Sequence, residues 1–254
     1  MSQQLIVKVF YSLTFSFISY FLFDLTPIDS NENWFKSLIL WVYPFKTILI
    51  PSLVLIPITI GCINDFKTKH FRIAYSLVLM VLIALMNGAD FDHDLFLWFY
   101  ISVVIALIPD KKILNTSKLL ITLAYFMSGF WKLYYGVIGI FSDDLNSYLN
   151  FSGLKSIVLK SNPADWISVI PSSMFFIAGI LVLLIELSGL VLYFQNKYYL
   201  KYWAQVMIVF HMLTVVFMKI EFVGNVVLIS LVFADLLVTK KEQSSPYPHT
   251  HTEV

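Results

Sequence analysis

Long apolar runs, separated by short polar segments, are the feature that most restricts how this chain of 254 residues can fold. The hydrocarbon core of a bilayer is about 30 Å thick, so a helix that crosses it needs roughly 20 apolar residues. Eight runs approach that length, namely 5–23, 38–63, 73–87, 94–109, 116–135, 170–195, 203–218 and 222–239. They predict an all-α fold, a polytopic transmembrane bundle of about eight helices.

The small proportion of charged residues supports this class of protein. Only 13% of the residues are charged and 59% are hydrophobic, whereas soluble domains carry about 25% charge. Because so few charges cannot cover a water-facing surface, lipid must cover most of it. The formal net charge of +1 gives no basis for binding nucleic acid, and the single Cys62 excludes an internal disulfide.

The basic residues are distributed in a way that predicts the orientation. Cytoplasmic loops of membrane proteins are enriched in Lys and Arg. Here every second connection is basic, as in the segment with Lys67, Lys69 and Arg72, and the connections between are acidic or mixed. We therefore predict a multi-pass protein of the inner (plasma) membrane with cytoplasmic termini, a membrane domain over 1–239 and a disordered cytoplasmic tail over 240–254.

The longest connection, about 136–169, is predicted to lie on the outer side. Apolar residues recur in it at helical spacing, with polar residues between them. This pattern is typical of a helix that lies in the membrane interface. It fits equally a lid over the outer ends of the helices, and the sequence leaves both interpretations open.

Lys132 is an ionisable residue near the outer end of the fifth run. Inserting such a group into a membrane as part of an apolar helix costs roughly 2.5–3.5 kcal/mol of free energy. Ser128 and Tyr125 precede it by four and seven residues, so the three share one helix face. One interpretation is an amine that extends to the membrane surface. The other is a desolvated, neutral amine that acts as a base.

Glu186 and His211 lie within the sixth and seventh runs. A carboxylate at that depth is expected to be protonated or paired. If the two helices pack together, Glu186 and His211 can form a hydrogen bond. Such a bond would serve either to orient the two helices or to take part in a reaction.

Further polar residues are predicted at the same outer side. His93 stands among three aspartates, which would suit a divalent cation, although a solvated acidic loop is the commoner explanation. Lys219, Glu221 and Asn225 cluster at the outer ends of the last two runs. We therefore expect polar groups from several segments to line one outward-facing cavity, and we predict no metal site.

Several short motifs from the fifth run onward resemble one family. Tyr125-Phe-Met-Ser-Gly-Phe-Trp-Lys132-Leu resembles a Tyr-Phe-x-Ala-Gly-x-x-Lys-Leu motif, and Glu186-Leu-Ser resembles an acidic residue followed by Leu-Ser. Phe210-His211-Met, Ile220-Glu-Phe-Val-Gly-Asn and, more weakly, Asp92-His93-Asp-Leu-Phe agree in order and spacing. Over about 90–239 the chain thus resembles the vitamin K-dependent γ-carboxylases and their relatives, the horizontally transferred transmembrane (HTTM) family.

The resemblance implies a function and roles for the candidate residues. In the carboxylases a motif lysine is the base linked to oxidation of a reduced quinone, and Lys132 matches it. The other candidate residues would then bind the substrate, namely Tyr125, Ser128, His93, Glu186, His211, Lys219, Glu221 and Asn225. The implied cofactor is a reduced, vitamin K-like quinone held in an apolar cavity.

The resemblance also has a limit, which leaves alternatives open. The carboxylases carry a large soluble region after the bundle that engages their protein substrate, and this argues against protein carboxylation here. Stand-alone relatives include a protein needed to mature a secreted bacterial peptide. The leading hypothesis is an enzyme-like protein acting on a lipophilic quinone or a secreted peptide. The alternatives are a non-catalytic partner in peptide maturation, secretion or immunity, which would bind a peptide or a partner subunit, and a small-solute transporter.

Overall fold

The computed structural model describes residues 3–23, 59, 61, 63, 67–87, 94–142, 144, 147–218 and 222–238. All regular structure in these residues is helical. The helices are α1 (Gln3–Phe23), α2 (Lys69–Asn87), α3 (Asp94–Leu107), α4 (Ile113–Ser142), α5 (Gly153–Ser161), α6 (Asp165–Ser168), α7 (Ser172–Gln195), α8 (Lys197–Met218), α9 (Val223–Val232) and α10 (Ala234–Val238). A 3-10 turn, Asp110–Lys112, joins α3 to α4.

The predicted all-α class is therefore confirmed for the described residues, with altered bounds. α4 has 30 residues and runs past the predicted end at 135, because its apolar pattern continues and Gly136 and Gly139 lie against the following loop instead of ending the helix. At 1.5 Å per residue it is about 45 Å long. The last predicted run is divided at Phe233 into α9 and α10. The predicted second run, 38–63, and the tail from 240 onward fall outside the described residues, apart from three single positions of that run.

Among the residues that the structure describes, two helices are long and apolar enough to cross a membrane, Ser172–Gln195 and Tyr198–Met218. In their most apolar stretches only 28% and 33% of the residues are buried inside the protein. Most of the residues in these stretches are therefore partly or fully exposed, unlike those of a helix enclosed in a soluble core. Phe96–Leu107 and Val223–Val232 are shorter apolar helices.

The main core forms where α1, α2, α3, α4, α8 and α9 meet. Phe10 and Trp98 stack there with ring centroids 5.2 Å apart. α4 packs most extensively against α7, and α7 also packs against α8. Glycine permits the close approach of α4 to α7, since a β-carbon at Gly129 would stand 2.9 Å from Cβ of Glu186.

Ion pairs join the helix ends that the charge pattern predicts to be cytoplasmic. Lys118 Nζ lies 2.6 Å from Asp235 Oδ2, which connects α4 to α10. Arg72 Nη1 lies 2.8 Å from Asp110 Oδ1 and donates to the carbonyl of Ile105 at 3.3 Å. Both basic side chains are buried, so these contacts hold together the helix ends that are predicted to be cytoplasmic.

The connection over 136–169 folds against the other end. Ser147 Oγ donates to the carbonyl of Gly136 at 3.1 Å, and Asn162 Nδ2 donates to that of Val216 at 3.1 Å. Lys155 Nζ donates to the carbonyls of Ser168 and Ile170 at 2.8 and 2.6 Å. A small apolar cluster with Leu154, Val158, Ile167 and Phe175 holds it there. The segment therefore packs on the ends of α4, α7 and α8.

Candidate functional site

A cavity of about 370 Å³ lies among α3, α4, α7, α8 and the start of α9; we call it the polar cavity. Six of the nine predicted site residues line it, namely Tyr125, Ser128, Lys132, Glu186, His211 and Asn225. The shared face predicted for the three α4 residues is thus directed into this space. The other three predicted residues, His93, Lys219 and Glu221, lie outside the described residues.

Lys132 and Glu186 form an ion pair in the wall of the polar cavity. Lys132 Nζ donates to Glu186 Oε1. The Glu186 side chain is 3% exposed and that of Lys132 is 26% exposed. The contact depends on the lack of a side chain at Gly129, which lets the backbone of α4 approach the turn of α7 that carries Glu186.

Tyr125 and His211 form the second polar contact. Tyr125 Oη and His211 Nε2 are 2.6 Å apart and buried. The rings of Trp203 and Phe222 flank them, with centroids 5.9 Å from Tyr125 and 5.0 Å from His211. The sequence suggested a bond between Glu186 and His211. In the structure both residues bond to α4 instead, Glu186 to Lys132 and His211 to Tyr125.

Two polar atoms of this site are buried and have no hydrogen-bond partner within the described part of the chain. They are Glu186 Oε2 and His211 Nδ1. Most buried polar atoms in proteins are bonded, and an unsatisfied one costs about 1–3 kcal/mol. Both residues line the polar cavity. A molecule that brings a hydroxyl group into it can therefore satisfy atoms that the described chain leaves unbonded.

Tyr148 closes one side of the site and was not found from the sequence. It comes from the loop before α5, and its ring centroid lies 5.6 Å from Lys132 Nζ. Burial raises the pKa of its hydroxyl, and the negative charge of Glu186 raises it further. The ring can stabilise the lysine cation through its π electrons. Nothing in the sequence separates Tyr148 from the other aromatic residues of its segment.

Groups for a metal ion are a separate question. Within the described ranges no three or more His, Cys, Asp or Glu residues come together in a way that could hold one. The polar groups that the described residues bring to the polar cavity are an amine, a carboxylate, an imidazole, phenols, hydroxyls and an amide.

The comparisons with known proteins add no relative. No family model, curated protein or solved structure matches the chain. The resemblance to the HTTM family stays a prediction that rests on the motifs described above.

Proposed function

We propose that this chain is a multi-pass membrane protein of about eight helices that binds a lipophilic hydroquinone in the polar cavity and accepts its proton on the Lys132–Glu186 pair. The observation that carries the proposal is the state of the Glu186 carboxylate. Its Oε1 accepts from Lys132, and its Oε2 is buried and has no bonded partner among the described residues. Such an arrangement suits a neutral ligand with an acidic hydroxyl.

The position of the pair supports action at the outer face. Lys118, on the side predicted to be cytoplasmic, and Lys132 are both on α4, about 21 Å apart along its axis. The outward-facing side chains of α7 and α8 support a lipid environment. The ligand would therefore meet the pair near the outer face of the bilayer.

The chemistry proposed for the pair is a single proton transfer. The ligand hydroxyl donates to Glu186 Oε2, its O–H bond breaks, and the proton remains on the carboxylate. The ligand becomes an oxyanion beside the Lys132 ammonium. If the pair is in its neutral form, the Lys132 amine takes the proton and the result is the same. The low dielectric of the site strengthens the attraction between oxyanion and ammonium. His211 Nδ1 is placed to bond to a second oxygen of the ligand.

Mass spectrometry of the molecules that the purified protein retains tests this proposal. We expect a quinone in wild-type samples and about a tenfold smaller amount in Lys132→Met, because the ligand loses its charged partner. Lys160→Met is the control, since Lys160 is exposed at the end of α5, and it should retain the wild-type amount.

The same samples separate the alternative function. A peptide or partner subunit that stays attached to wild type and Lys132→Met alike, with no quinone in either, would contradict the proposal. That result would favour a non-catalytic partner in peptide maturation, secretion or immunity.

A further inference from the structure

A second cavity, of about 480 Å³, runs between α5, α7 and α8; we call it the apolar groove. Leu154 and Val158 of α5 form the end of it that lies at the 136–169 connection. Residues from Gln205 to Met218 of α8 form one side. Apart from Gln205, Thr214 and Tyr148, its lining is hydrocarbon or aromatic. Along α8 it extends for about 20 Å. It therefore has the shape and chemistry for a hydrocarbon chain and for little else.

The apolar groove opens on the outer surface of α7 and α8, the described helices that are both long and apolar enough to cross a membrane. Leu181 of α7 is 52% exposed, and Val209 and Leu213 of α8 are 57% and 48% exposed. In a membrane these residues would meet lipid chains. The mouth of the apolar groove is then directed sideways into the bilayer, not toward water.

The apolar groove and the polar cavity share a wall. Tyr148, Phe210, Thr214 and Met218 line both spaces. Thr214 Oγ1 donates to the carbonyl of His211 at 2.7 Å, and Tyr148, Phe210 and Met218 form the rest of this wall. One molecule can thus place its polar head beside Glu186 and its chain in the apolar groove.

We propose that the ligand is an amphiphile with one hydrocarbon chain, and that it enters sideways from the bilayer between α7 and α8. Its chain stays in the apolar groove while its hydroxyl-bearing head passes Phe210 into the polar cavity. The inference rests on the proposed function of the polar cavity and adds the class of ligand and its route. It also makes the chain a determinant of affinity, because only a ligand with a chain contacts the lining of the apolar groove.

The test compares two probes with the same ring, a reduced naphthoquinone without a side chain and one with a long isoprenoid chain. Val209→Trp fills the mouth of the apolar groove without touching the polar cavity. We expect it to weaken binding of the long-chain probe at least about tenfold and to leave the chainless probe unchanged. Met212→Trp is the matched control, because Met212 is equally exposed on α8 at 54% but lines neither space; it should bind both probes like wild type.

The outcomes separate this inference from the function on which it rests. If wild type binds neither probe, the proposed function fails. If wild type binds both, and Val209→Trp weakens both equally or neither, the lateral route is wrong while the function of the polar cavity stands.

Discussion

The Lys132→Met variant is expected to lose about 3 kcal/mol of unfolding free energy, the lower part of the range for breaking a buried ion pair. Its Glu186 partner is 3% exposed and would keep a carboxyl group with no bonded partner among the described residues. Adding Glu186→Leu removes that group and fills the space with hydrocarbon. The double variant should therefore regain most of the lost stability. Unfolding of each purified variant in detergent micelles, followed by circular dichroism, measures these differences.

The same pair of variants separates stability from ligand binding. The double variant should be stable and still fail to retain the quinone, since both partners in proton transfer are gone. Lys160→Met should match wild type in both measurements. A double variant as unstable as Lys132→Met, or a Lys132→Met variant as stable as wild type, would show that the two side chains do not depend on each other.

Gly129→Leu is expected to have the second large effect. A β-carbon at this position would lie 2.9 Å from Cβ of Glu186 and 3.2 Å from Cγ of Leu187, so α4 and α7 must move apart. Overpacking of this kind costs about 1–3 kcal/mol, and the separation would also lengthen the Lys132–Glu186 contact. We therefore expect loss of stability together with loss of retained quinone.

A neighbouring substitution provides the control for Gly129→Leu. Phe130→Leu changes an exposed position of the same helix turn and should change the unfolding free energy by less than about 0.5 kcal/mol. If Gly129→Leu unfolds and binds quinone like Phe130→Leu, the close approach of α4 to α7 at Gly129 is not what positions the pair.

Much of the site could be predicted from the sequence because the position of a residue along a helix follows from counting residues. The charge pattern put Lys132 and Asn225 on one side, and helical periodicity put Tyr125 and Ser128 on the face of Lys132. Pairing could not be predicted in this way, since it depends on the rotation of each helix. The sequence allowed a bond between Glu186 and His211 if their helices packed together, whereas Glu186 bonds to Lys132 and His211 to Tyr125.

The contribution of Tyr148 to the site and the apolar groove could not be predicted from the sequence, for a different reason. The position of Tyr148 depends on how its segment returns over the helix ends, which is determined by contacts such as that of Asn162 with Val216. The apolar groove is a space that adjoining helices leave unfilled, and its residues have the same apolar character as those that pack. Neither feature leaves a periodic signal in the chain.

The central claim is that the Lys132–Glu186 pair draws a proton from a bound hydroquinone, and the ultraviolet spectrum of the ligand measures this most directly. Wild type, Lys132→Met and Lys160→Met would be reconstituted in lipid nanodiscs without oxygen and titrated with the reduced naphthoquinone at a series of pH values. An ammonium beside the ligand oxygen favours the ionised form by about 1–3 pH units. We therefore predict that the oxyanion band appears about 2 pH units lower with wild type and Lys160→Met than in empty nanodiscs, and is not shifted with Lys132→Met. Ionisation at the same pH in all four samples, or an equal shift with Lys132→Met, would contradict the claim.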